Sequence, residues 1–231
     1  MKRFWREVGL REDAAGFAVT LDGRPAHTPA RHLLTAPTRA LADAIAGEWR
    51  EQWDEIDPRA MPLTRLATTV LDLMPERRGD AIEEAAGFAA TDLLCYRAAE
   101  PRDLAERQQA AWQPWLDWAL RQHDSPLAVT ATVTVVEQPP ASLRSLRAAV
   151  ERLDDWRLVG LHAATTLTGS IVLGLAMEAG ELGPDAAFEL ACLDELYEIG
   201  RWGEEDEQAR RHATLRRDLA AADRFLCLLR S

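Results

Sequence analysis

Lysine is all but missing from these 231 residues. Lys2 is the single example, and arginine supplies every other basic side chain. With the abundant alanine, that skew points to a GC-rich genome rather than to a function. Cysteine is scarce as well. Cys95, Cys192 and Cys227 are odd in number and widely spaced, and no C-x-x-C pair exists. Neither a disulfide framework nor a zinc site is indicated, and three buried, reduced thiols are expected. Positive charge is outweighed, leaving a net charge of −11. Nucleic acid and anionic lipid both call for a basic footprint, so this balance argues against either and favours a partner with a basic surface. The opening MKRFWREVGL has neither the apolar run of a signal peptide nor the Arg/Ser-rich stretch of a transit peptide.

Catalytic signatures are missing too. There is no G-x-x-x-x-G-K-[ST] phosphate loop, no G-x-G-x-x-G after a strand, no H-E-x-x-H and no G-x-S-x-G. The run Leu167-Thr168-Gly169-Ser170 is reminiscent of a phosphate loop but lies in apolar helical sequence, where small residues serve packing. His27, His32, His123, His162 and His212 include no i, i+4 pair. No metal site and no cofactor is therefore expected. His162, Thr165 and Thr168 are expected to be structural, hydrogen-bonded within a helical bundle. Residues 158–177 carry no formally charged side chain and are long enough to span a bilayer. Their histidine, hydroxyls and glycines make a buried helix of a helical domain the expected outcome.

What is present reads as two parts. At 47% hydrophobic the chain can bury a substantial core. The first 36 residues read as β structure: Phe17, Val19 and Leu21 alternate with Ala18 and Thr20, and Asp22-Gly23 supplies a turn. Residues 3–10 are expected as the partner strand, and residues 32–35 as one more short strand. Helical periodicity starts after Pro37, with Leu41, Ile45, Trp49 and Trp53 on one face. Pro62 and Pro101 open further helices. Over 127–136 the period becomes two, Leu127, Val129, Ala131, Val133 and Val135 alternating with Ala128 and three threonines. A strand is expected there, placed to pair back onto the N-terminal sheet. Helices follow over 141–153, 156–179, 184–201 and 204–229. The expected fold is α+β, with a β-rich domain over residues 1–60 and a mostly helical domain over 61–231.

Two features stand out. Tryptophan is plentiful, eight in all, and Trp49, Trp112 and Trp115 are expected in the core, with Trp118 balanced between core and surface. The other feature is an acidic run, Asp194, Glu195, Glu198, Glu204, Glu205, Asp206 and Glu207, centred on Trp202-Gly203 and opposed in that window only by Arg201. It fits a solvated face with acids at the positive end of a helix dipole. It also fits a recognition site for a basic or amide-rich segment.

Several motifs follow one another along the chain. They are Arg3-Phe4-Trp5-Arg6-Glu7-Val8 with Leu21-Asp22-Gly23-Arg24-Pro25, then Met61-Pro62-Leu63-Thr64-Arg65-Leu66-Ala67, then Thr91-Asp92-Leu93-Leu94-Cys95-Tyr96-Arg97. Leu167-Thr168-Gly169-Ser170 follows, and last Glu195-x-Tyr197 with Trp202-Gly203-Glu204. In this order they resemble the assembly chaperones that act on the alpha subunit of the ATP synthase F(1) sector. The family pattern usually has glutamine where this chain has Glu198. The resemblance implies an N-terminal α/β layer, a C-terminal orthogonal helical bundle and no enzymatic activity. It implies capture of the free alpha subunit, shielding a surface otherwise buried in the hexamer. The family is mitochondrial in eukaryotes and occurs in alphaproteobacteria, so a bacterial cytoplasmic member is expected. Glu195, Trp202, Glu204, Glu205 and Asp206 are the candidate partner-binding residues. The competing reading is a small hydrolase or transferase using an acid pair such as Glu195 and Glu198, neighbours at i, i+3.

Overall fold

A computed structural model of the chain describes residues 2–14, 16–132 and 134–230. The N-terminal sheet is built around β2 (Gly16–Leu21). On one side β2 pairs antiparallel with β1 (Val8–Asp13), Val8 standing opposite Leu21. On its other side it pairs with β3 (Arg24–Pro25) and β4 (Thr35–Ala36). Asp22 and Gly23 both take positive φ, 50° and 75°, which gives the hairpin turn the right-handed twist of its strands. The Asp22 carboxylate accepts the backbone N–H groups of Arg6 (2.9 Å) and Glu7 (2.8 Å), fastening the N-terminal segment beside the turn. The expected strand over 3–10 thus lies further along the chain.

Helix α1 (Arg39–Arg50) is capped by Thr38, whose hydroxyl accepts the Leu41 N–H at 3.2 Å. Leu41 and Ile45 are buried against the sheet, while Trp49 is half-buried with its ring 5.1 Å from that of Trp5. Trp53 does not continue this stripe. The helix has ended by Glu51, and Trp53 is 84% exposed. Residues 52–57 are held by the Gln52 amide, which donates to the Glu48 carbonyl (3.1 Å) and accepts the Asp57 N–H (2.7 Å).

Helix α2 (Pro62–Gly87) begins at Pro62 and continues through Pro75. Its N-terminus has no local side-chain cap. Glu48 of α1 fills that role, accepting the N–H groups of Leu63 (2.7 Å) and Thr64 (2.8 Å) and the Thr64 hydroxyl (2.7 Å). Helix α3 (Arg102–His123) follows and continues through Pro114. It buries both Trp112 and Trp118, and Trp115 is half-buried.

The strand expected over 127–136 does not form among the described residues, and Val133 lies outside them. Thr130 makes a single parallel bridge to Tyr96, its N–H donating to the Cys95 carbonyl at 2.9 Å. The Gln138 amide pairs with both backbone groups of Ala128, at 2.8 and 3.0 Å. Alternation predicts a strand only when one face is buried. Here Val129, Ala131 and Val135 are exposed and Leu127 alone of the described members of that set packs against the core, so the alternation does not lay down one buried face.

The remaining helices are α4 (Pro140–Glu151), α5 (Asp155–Thr168), α6 (Ile171–Ala179), α7 (Pro184–Ala191), α8 (Leu193–Trp202) and α9 (Asp206–Leu229). The single helix expected over 156–179 is therefore two. Gly169 turns left-handed (φ 68°), and Ser170 then caps α6 by accepting the Leu173 N–H at 3.1 Å. The helix expected over 184–201 also breaks, at Cys192. Helix α5 packs against α2, α6 and α9 at the centre of the bundle, and one apolar cluster runs from the sheet into it.

Of the three polar side chains expected to be hydrogen-bonded within the bundle, Thr168 and His162 are and Thr165 is not. Thr168 donates to the Ala164 carbonyl at 2.8 Å, as expected of a structural hydroxyl. Thr165 is buried, but its hydroxyl has no partner among the described residues. His162 sits at the bundle surface, paired with Glu84 of α2 at 3.0 Å, not in the core. Of the thiols, Cys95 and Cys192 are buried and Cys227 is exposed on α9. No helix among the described residues is long and apolar enough to cross a membrane.

Candidate partner-binding surface

The acidic run of the sequence occupies α8, the turn after it and the start of α9. Helix α3 holds α8 in place. The Tyr197 hydroxyl donates to the Asp103 carboxylate at 2.8 and 2.9 Å, and Arg201 adds a third contact at 2.9 Å. The Arg201 guanidinium lies 4.5 Å from the centre of the Tyr197 ring. The tyrosine hydrogen bond, followed by the Arg201 charge, holds the Asp103 carboxyl below its usual value. Burial, then the bond to Asp103, raises the tyrosine hydroxyl. Nearby, the Gln108 amide donates to Asp194 at 2.6 Å, and the Trp112 indole donates to the Leu190 carbonyl at 3.0 Å. So Arg201, which sequence alone set against the acidic run, is engaged with α3 instead.

The turn depends on Gly203. Its φ of 90° and ψ of 167° lie in a region essentially closed to other residues. The Gly203 N–H still closes α8 by donating to the Ile199 carbonyl at 2.9 Å. The chain then leaves α8 extended and re-enters helix at Asp206, with Asp206 and Glu207 in the first turn of α9, where the helix dipole stabilises them.

Burial divides the candidate residues. Trp202, the last residue of α8, is 76% exposed. Glu204, Glu205 and Asp206 are exposed beside it in sequence. Trp202 is thus no core anchor. Glu195 is placed differently, facing α9 from the first turn of α8. Its Oε2 meets His212 Nε2 at 2.8 Å and is also paired with Arg211. His212 is buried, its other ring nitrogen 3.5 Å from Glu204 and its ring edge-on to Phe188. These contacts dispose of the acid-pair chemistry. Glu195 is engaged by Arg211 and His212 rather than by Glu198, which stands exposed beside it in the helix. His212, Arg211 and Asp103, which hold this segment, all lie outside the acidic window of the sequence. The heptad-like placement of His212 on the inner stripe of α9 was the available signal.

The family model described as "ATP12 chaperone protein" matches residues 2–120. The chain belongs to the ATP12 chaperone family. The crystal structure of Atp12 from Paracoccus denitrificans superposes with a TM-score of 0.94 at 38% identity, covering 99% of this chain and 98% of that one. A protein from Agrobacterium tumefaciens also gives a TM-score of 0.94, at 36% identity, over 99% of this chain and 86% of its own. The mitochondrial protein atp12 of Schizosaccharomyces pombe is 23% identical over 214 residues, 87% of this chain and 74% of that protein. The family model stops within α3, whereas the bacterial Atp12 fold continues through α8 and α9. The relatives named Atp12 belong to a chaperone family, not to a family of enzymes, in keeping with the missing catalytic signatures.

Proposed function

We propose that this ATP12-family chaperone assists assembly of the ATP synthase F(1) sector by capturing the free alpha subunit and shielding its interface. An isolated subunit of a hetero-oligomer exposes apolar surface that aggregates unless it is covered. A transient cover needs a shaped face and moderate affinity, and no catalytic constellation. The observation that supports this face most directly is the exposure of Trp202 on a glycine turn beside Glu204, Glu205 and Asp206. Tryptophan is enriched at the energetic centres of interfaces, and a ring of carboxylates selects a partner carrying basic or amide donors. The likeness to Paracoccus and Agrobacterium proteins supports a bacterial member, acting in the cytoplasm where the subunits are made.

The experiment is direct. Separately produced alpha subunit from the same host is incubated with the purified chain, then challenged with beta subunit. The expected result is a soluble binary complex that releases alpha as beta is added. Alpha subunit that aggregates equally with and without the chain would defeat the proposal.

A further inference from the structure

Beneath the exposed turn, three potential metal ligands converge between α8 and α9. They are the Cys192 thiol, the Glu195 carboxylate and the His212 imidazole, with one donor atom from each lying within 4.8 Å of the others. Cys192 and His212 are both buried, and Glu195 is half-buried. Cys192 stands at the junction that ends α7 and opens α8, and Glu195 lies three residues on in the first turn of α8. His212 comes across from α9, hydrogen-bonded at Nε2 and with a carboxylate near its other nitrogen. Its Nε2 faces the cluster, and its Nδ1 is 3.5 Å from Glu204. A carboxylate on the far nitrogen is the usual companion of a metal-bound histidine, since it fixes the tautomer that leaves the near nitrogen free to ligate.

We propose that Cys192, Glu195 and His212 form a zinc(II) site that clips α8 to α9 beneath the Trp202 turn. Thiolate, imidazole and carboxylate together suit a borderline-soft, four-coordinate dication, with water in the fourth position. The charges also match. Two anionic ligands and a neutral imidazole cancel a dication, so the buried centre carries no net charge to desolvate. Arg211 is paired with the same Glu195 oxygen as His212, and its side chain is 63% exposed. It therefore has room to swing into solvent when the metal takes that carboxylate. Ligand atoms around zinc stand about 3–4 Å apart, so the cluster closes by about 1 Å on binding. Burial and the neighbouring Glu195 push the Cys192 thiol up to about 11, so the metal-free thiol is protonated and its proton leaves to solvent as the sulfur–zinc bond forms.

The test uses the isolated full chain, so its outcome is independent of whether the alpha subunit is the partner. Metal-free protein is titrated with zinc and, in parallel, with cobalt(II). Binding of one equivalent is expected, with a raised melting temperature and a thiolate-to-cobalt charge-transfer absorption. Cys192→Ser should remove that absorption, and Cys227→Ser should retain it. Glu204→Gln, at an exposed position that leaves the fold intact, should weaken zinc by about tenfold or more through His212. Failure of the parent to bind a stoichiometric metal ion at micromolar concentration would overturn the proposal. So would binding that Cys192→Ser and Glu204→Gln both leave unchanged.

Discussion

Ser170 donates its hydroxyl proton to Asp92 at 2.9 Å, and both residues are fully buried. Seventy-eight positions separate them in the chain. The same Asp92 carboxylate accepts the N–H of Val172 at 3.2 Å and of Leu94 at 3.0 Å. It thereby caps α6 from outside while shaping its own turn over 93–95. Two of the motifs that carry the family resemblance are thus one structure: the carboxylate of the first anchors the helix break that the second encodes.

Asp92 predicts a pH dependence of stability. Burial raises its carboxyl from 3.8 to about 6, against the lowering effect of its hydrogen bonds. The folded state therefore holds a proton that the unfolded state has released between those two values. Stability from this group is greatest below the lower value and falls as pH rises through the upper one, by about 3 kcal/mol in all. Urea unfolding across that range should show the decline in the parent and a flatter profile in Asp92→Asn. Asp92→Ala, which orphans the Ser170 hydroxyl and two backbone donors, should cost about 2–4 kcal/mol. An Ala variant as stable as the parent would refute this account.

Glu48 predicts a second long-range dependence. It is the N-terminal cap of α2, supplied by α1. Glu48→Ala leaves two buried N–H groups and the Thr64 hydroxyl without an acceptor. A loss of about 2–4 kcal/mol is expected by chemical denaturation. Glu48→Gln keeps one acceptor oxygen and should lose less than Glu48→Ala. Equal losses in the two variants would show that packing, not capping, is the role of this side chain.

Gly203 predicts a purely backbone effect. A Cβ added there meets nothing within 4 Å, so crowding is absent. The φ of 90° alone should make Gly203→Ala cost about 1–3 kcal/mol. Calorimetry reads this directly, and a melting temperature unchanged from the parent would count against the strained turn.

Trp202 and its carboxylates predict a separation of stability from capture. Trp202→Ala at an exposed position should change stability by no more than about 0.5 kcal/mol. Capture of the alpha subunit should weaken about tenfold or more. Glu204→Gln with Glu205→Gln should weaken capture with little change in the melting temperature of the metal-free chain, and should reduce its salt sensitivity. Glu195 is left out of this set, because its partners are Arg211 and His212 within the protein. Undiminished capture by the Trp202 and glutamine variants would make the turn a solvated face.

Periodicity and punctuation carried much of the fold. Pro62 marked the start of α2, Asp22-Gly23 the hairpin turn, and Leu41 with Ile45 the inner face of α1. Errors arose where distant residues intervene. Alternation over 127–136 reads as a strand because it is local, yet its backbone pairing among the described residues stops at the one bridge from Thr130 to Tyr96, and Gln138 satisfies Ala128. The apolar run 156–179 looked continuous because the partner that stabilises its break, Asp92, lies far upstream. Trp53 kept the spacing of α1 after the helix had ended.

By itself, then, the sequence determined that this chain is α+β, acidic, without catalytic signatures and built on the ATP12 motifs. Those are properties of composition, local geometry and short ordered patterns. Only the tertiary structure decided which acids face outward. Glu195 and Glu204 look alike in one dimension, but α9 sets His212 and Arg211 against Glu195, while the glycine turn carries Trp202 into solvent. The reason is physical: a carboxylate is a recognition group or an internal partner according to what another helix places beside it, and that neighbour is chosen by packing.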